Sequence, residues 1–171
     1  MGEKRPKPVL LAAAVVAAGI LVPVLFHQVG LGAVFLPMFL PIGLGAFFLP
    51  LWLVLLAGVL TPLLSSLLTG MPPLLPPVAP VLSLELALFG GIVAYLDRKG
   101  WRPFWAVLLA FAVNRVVLLL VAWPLAPLLG LPEKLFGAGA VLFGLPGILL
   151  NLFLVPIFIP RLKGVLNQAG D

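Results

Sequence analysis

The chain of 171 residues has no cysteine, a single histidine, a single tyrosine and few charges, with Asp, Glu, Lys and Arg making up only 9%. Without cysteine there is no disulfide scaffold, no thiolate metal site and no cysteine nucleophile. Soluble domains carry roughly a quarter charged residues and about half apolar ones. Here 63% of residues are hydrophobic and the mean hydropathy is +1.29, which excludes a soluble globular fold. Disorder is excluded as well, because it needs low hydrophobicity and high charge. The sequence also lacks G-x-x-x-x-G-K-[ST], H-E-x-x-H and G-x-S-x-G. No ATP site of the P-loop type, no zinc-protease helix and no nucleophile elbow is therefore available, and neither a metal nor a cofactor is expected.

What the chain does have is apolar length. From Pro8 to Leu84 there are 77 consecutive residues without a formal charge. A crossing needs about 20 residues for a hydrocarbon core of about 30 Å, so the stretch up to Leu96 accommodates about four passes. A second apolar stretch from Pro103 to Pro160, interrupted near Gly130–Lys134, accommodates two more. The reading is an all-α integral membrane protein, a single domain over 1–171 built as a six-transmembrane-helix bundle. Its spans are expected at 8–27, 33–48, 51–69, 80–96, 104–128 and 139–160.

Basic residues give an independent count. Lys4, Arg5 and Lys7 precede the first span, Arg98, Lys99 and Arg102 lie in the middle, and Arg161 and Lys163 follow the last. The positive-inside rule places all three clusters in the cytoplasm. That requires an even number of spans before Asp97 and an even number after it, with both termini cytoplasmic. The pI near 10.3 is thus a topology signal, and nucleic acid is not an expected partner.

Two ionisable residues fall inside predicted spans, Glu85 in the fourth and Arg115 in the fifth. Burying either alone costs about 2.5–3.5 kcal/mol on insertion scales, so each must face the bundle interior or a wet cavity. Their helical depths allow the long arginine side chain to reach the carboxylate. One reading is an ion pair that holds two helices together. The other is a ligand cavity open to the outside, with Arg115 contacting an anionic or carbonyl group and Asn114, Ser83 and Asn151 adding neutral polar groups. A Glu85 partner would cancel any bias of Arg115 toward an anion. His27 ends the first span at the interface, where a solvated role competes with ligand contact. Ser65, Ser66 and Thr69 end the third span, where hydroxyls commonly bond the preceding turn.

The first span carries Ala13, Ala14, Ala17 and Ala18, paired one turn apart into a smooth stripe. Small-xxx-small stripes permit close helix packing in lipid, either within the bundle or against another membrane subunit. The stretch Gly70–Pro80 holds five prolines in eleven residues. It is expected to run extended outside the membrane, beside the mouth of the proposed cavity.

Residues 36–96, above all TGMPPLLPPVAP (69–80) followed by ELALFG (85–90), and GLPGILLNLFLVPIF (144–158) resemble the substrate-binding S components of energy-coupling factor (ECF) vitamin transporters. The alanine stripe of the first span adds to the likeness, which covers most of the chain. The resemblance implies a six-helix bundle that binds a vitamin or related micronutrient near the outer face. It further implies docking through Ala13 and Ala17 on a transmembrane coupling subunit that carries two cytoplasmic ATPases. Thr69, Glu85, Arg115 and Asn151 would then form the pocket, with Asn114 and His27 as neighbours, in a bacterial or archaeal inner membrane. The chain would be a transport subunit and not an enzyme. The competing readings are a structural or assembly membrane protein without a ligand, and a small intramembrane enzyme using Glu85 with Arg115 or His27.

The absence of cysteine makes the topology directly testable. In intact cells a single Leu75→Cys variant is expected to react with a membrane-impermeant maleimide, and Lys99→Cys only after permeabilisation. Equal labelling of both in sealed cells overturns the assignment of sides.

Overall fold

The computed structural model describes residues 8–28, 30, 32–136 and 140–168. In lipid every backbone N–H and C=O must be satisfied within the chain, so long uncharged runs become helices. The structure is all-α, and five stretches are long and apolar enough to cross a membrane: Pro8–Phe26, Leu51–Thr69, Val78–Arg98, Pro103–Leu125 and Leu145–Val165. They correspond to helices α1 (Pro8–Gln28), α4 (Leu51–Thr69), α5 (Val78–Arg98), α6 (Pro103–Val117) with its extension, and α10 (Leu145–Gln168). Short helices α2 (Gly32–Phe35), α3 (Phe39–Gly45), α7 (Trp123–Leu125), α8 (Glu133–Phe136) and α9 (Ala140–Phe143) fill the connections.

The expected span at 33–48 is not a transmembrane helix. It is broken into α2 and α3, with Leu36 at a positive φ of 48° and Pro37 between them. Pro37 removes an N–H donor and disfavours helix at the residue before it. The segment nevertheless retraces the length of α1. Phe35 stacks on Phe26 with ring centroids 5.8 Å apart. Gly45 packs against Val15, and the Leu49 carbonyl accepts a 2.9 Å hydrogen bond from Arg98 at the far end of α5. Irregular backbone at membrane depth survives only where protein covers it. Accordingly Pro37, Met38, Phe39, Pro41, Ile42, Gly43, Gly45, Ala46, Phe47 and Leu49 are all buried.

Other boundaries shift for local reasons. Leu118–Ala122 is π-helical, and the N–H of Trp123 donates to the carbonyl of Leu118. Pro124, two residues on, cannot donate and crowds the carbonyl four residues before it, a common cause of such widening. Turns over Ala126–Gly130 end the pass that was expected to reach 128. The last long helix begins at Leu145 instead of 139, because Gly144 separates it from α9; residue 139 lies outside the described residues. Gly70, left-handed at φ 74°, stops α4 with its N–H on the Ser66 carbonyl at 2.9 Å.

Gly147 of α10 lies against the Phe35 backbone and Gly43 of α3 against Val155, so α10 runs from the α2 end of the bundle toward the α3–α4 turn. The start of α1, the α5–α6 turn and the end of α10 therefore share one end, bringing Arg98, Lys99, Arg102, Arg161 and Lys163 together there. The first basic cluster, Lys4 to Lys7, lies outside the described residues. The same end carries exposed Trp52, Tyr95, Trp101 and Trp105, the amphipathic aromatics that settle at headgroup level. Farther from this collar the outward faces are apolar: Leu84, Leu120 and Phe153 are exposed.

At the core, Phe39, Phe89 and Phe111 form a ring cluster with centroids 4.5–5.4 Å apart. Helices α4 and α5 touch backbone to backbone at Gly58, where a Cβ would come within 2.6 Å of the Ala87 nitrogen. Gly58→Ala is therefore expected to destabilise the bundle by about 1–3 kcal/mol. Gly164→Ala, where nothing among the described residues lies within 4 Å, is expected to be neutral or slightly stabilising. Equal thermal midpoints for the two variants in detergent would contradict this contact.

Candidate functional site

Between the ends of α4 and α5 the proline-rich segment forms a strap at the end of the bundle opposite the basic residues. It is not extended as expected. Leu74–Pro77 fold into turns, and the Ala79 N–H reaches back to the Pro73 carbonyl at 3.0 Å. That bond closes the segment on itself and lets α5 start at Val78, with Pro80 in its first turn, where a missing donor costs nothing. Ser65 pins the other side of the strap, its hydroxyl donating to the Met71 carbonyl at 2.7 Å.

Beneath the strap is a cavity of about 260 Å³. The strap covers it with Met71, Pro72 and Pro73, and the broken pass contributes Leu36 to Phe39. Pro23 of α1 closes one side, Pro132 and Phe136 another. The α5 wall presents Val78, Leu82 and Glu85 on successive turns, and Arg115 of α6 stands beside them. Apart from Glu85 and Arg115, every described lining side chain is apolar.

The two ionisable residues meet. Arg115 Nη2 lies 3.1 Å from Glu85 Oε2, and the residues are only 8% and 9% exposed. Glu85 is seven residues into α5 and Arg115 twelve into α6 from the opposite end, about 10 Å and 18 Å at 1.5 Å per residue, so antiparallel helices bring them level. Asn114, wholly buried, completes the arrangement. Its amide nitrogen donates to the Glu85 backbone carbonyl at 2.9 Å, and its Oδ1 accepts from Arg115 Nη2 at 2.8 Å. Arg115 Nε is buried with no hydrogen-bond partner among the described residues. Among the described residues the guanidinium is thus bonded through Nη2 alone.

Of the residues expected at the site, Glu85 and Arg115 line the cavity, and Asn114 holds them from behind. Thr69 is exposed at the end of α4 and absent from the described lining; its hydroxyl lies 2.7 Å from the Ser65 carbonyl and accepts the Met71 N–H at 3.3 Å. Asn151 is also absent from the lining. Fully buried in α10, it donates to the Gly147 carbonyl at 2.8 Å, and its Oδ1 has no partner among the described residues. His27 closes α1, and its side chain lies outside the described residues. Ala13, Ala14 and Ala17 are exposed on α1 and Ala18 is half-buried, so most of the stripe is uncovered by the described residues. Sequence reasoning missed Leu82, Val78, Met38 and Phe136 of the lining. The periodicity of α5 could have found two of them, since Leu82 and Val78 lie three and seven residues before Glu85, on one helical face.

No family model, curated protein or solved structure matches this chain. Its own geometry decides its class. It is a multi-pass helical membrane protein.

The ion pair generates a stability test. Breaking a buried pair strands a charge, at a cost of about 3–5 kcal/mol, whereas replacing both partners by apolar residues is often neutral. Arg115→Met should therefore lower the thermal midpoint sharply, and adding Glu85→Leu should recover most of that loss. A double variant as unstable as the sum of its singles would show that the two side chains act independently.

Proposed function

We propose that the chain is the substrate-binding S component of an ECF-type importer, capturing a vitamin-like micronutrient at the outer face of a bacterial or archaeal cell membrane. The observation that carries this reading is the incompletely bonded Arg115 guanidinium beside Glu85 on the wall of an apolar cavity. A pair serving only to join α5 and α6 has no need of a void next to it. The strap and the broken pass frame the cavity at the end away from the basic clusters, which the positive-inside rule makes the outer end.

Energy for transport then comes from elsewhere. A transmembrane coupling subunit docks on the exposed Ala13, Ala14 and Ala17 face of α1, and two cytoplasmic ATPases attached to it hydrolyse ATP. This accounts for a transport chain without a nucleotide motif. A second reading, a ligand-free structural protein, draws on Asn114, whose two hydrogen bonds hold the pair in place without any solute.

Native mass spectrometry of the detergent-purified protein separates the two. The wild type is expected to carry a small solute that Arg115→Ala loses while keeping its helical circular dichroism. Ala13→Trp is expected to keep the solute but lose co-purification of the coupling subunit. A wild type free of any solute in every preparation favours the structural reading.

A further inference from the structure

We infer that the cavity selects an uncharged ring presenting a hydrogen-bond donor beside an acceptor, as in a heteroaromatic carboxamide or an aminopyrimidine, and discriminates against the matching carboxylate. The inference rests on the binding-subunit reading and adds to it the chemical class of the solute.

Charge is the first argument. Glu85 and Arg115 cancel, and no other described lining residue is charged. An anion entering this apolar chamber would be drawn to Arg115 but would crowd the Glu85 carboxylate 3.1 Å from that guanidinium. The site would then hold an uncompensated charge away from water, which is strongly unfavourable. A net-neutral solute leaves the balance intact.

Bonding capacity is the second. Among the described residues, hydrogen bonds use only Nη2 of Arg115 and Oε2 of Glu85. The guanidinium keeps its Nη1 donors, and the carboxylate keeps acceptor positions on Oε1. Nε, enclosed and without a partner among the described residues, has no surface open to a ligand, so the donor offered to the chamber is Nη1. Adjacent donors and an acceptor on the wall are complementary to an adjacent acceptor and donor on a ligand. An amide or amidine edge offers both, whereas a carboxylate offers acceptors alone.

Size and shape are the third. At about 260 Å³ the chamber is slightly below the range of about 300–1,000 Å³ common for small-molecule sites. Phe39 and Phe136 with Met38 and Met71 supply aromatic and thioether surfaces suited to a flat ring.

Isothermal titration of the full-length detergent-solubilised protein with two matched pairs tests this: nicotinamide against nicotinate, and 4-aminopyrimidine against pyrimidine-4-carboxylate. On the wild type the uncharged member of at least one pair is expected to bind at least about tenfold more tightly than its carboxylate partner. Glu85→Gln removes the negative charge and should reverse the preference toward the carboxylate, a change that a purely structural role for Glu85 would not produce. If that variant does not fold, the wild-type comparison decides alone. Carboxylates that bind the wild type as well as their partners in both pairs, or no binding by either uncharged probe at millimolar concentration, overturn the inference. An acid identified by mass spectrometry as the co-purified solute overturns it too, while leaving the binding-subunit reading intact. No co-purified solute at all counts against the binding-subunit reading itself.

Discussion

A carboxylate and a guanidinium cannot face acyl chains, and much of the upper half of the bundle is arranged around that prohibition. Glu85 on α5 and Arg115 on α6 meet at 3.1 Å because their helices run antiparallel and start from opposite ends. Asn114 grips both partners, one through a backbone carbonyl and one through the guanidinium. Two adjacent residues of α6 thus face the same turn of α5, which fixes the rotation and axial register of that helix pair. Below this level the interface is apolar, with Phe89 and Phe111 in contact at 4.5 Å between centroids.

The opposite end is governed by different chemistry. There the described residues gather Arg98, Lys99, Arg102, Arg161 and Lys163, and exposed Trp52, Tyr95, Trp101 and Trp105 lie at the same end. Arg98 has a second occupation besides marking topology. It donates to the Ala94 and Leu49 carbonyls, tying the end of α5 to the turn that launches α4. The Leu49 carbonyl precedes Pro50, whose ring starts α4 without an N–H, so the cation serves an acceptor at a point where the helix ladder has not yet begun.

Much of this was legible in the sequence, because lipid imposes a simple rule. Uncharged runs of sufficient length must be helices, and α4 matches its expected span at both ends. Glu85 and Arg115 were identifiable from the cost of isolating a charge in hydrocarbon. What hydropathy could not convey was the broken pass: residues 33–48 are as apolar as a span, and only the positions of Pro37 and Pro41 hint that the run is interrupted. The strap was misread for a related reason, since proline density predicts stiffness but not the Ala79–Pro73 hydrogen bond that folds it. Thr69 and Asn151 are polar residues in apolar surroundings, yet both bond their own helices, as hydroxyls and amides can do wherever a carbonyl one turn back is exposed.

The interrupted pass also limits how anything can reach the chamber. Its irregular backbone at Phe35 to Leu36 is packed against α1 and α10, and parting those helices would open peptide groups to hydrocarbon. A sideways doorway through that wall is therefore energetically closed. At the other boundary Met71 to Pro73 cover the chamber, so the prolines of the strap stand as the threshold of any lengthwise route and not merely as a roof.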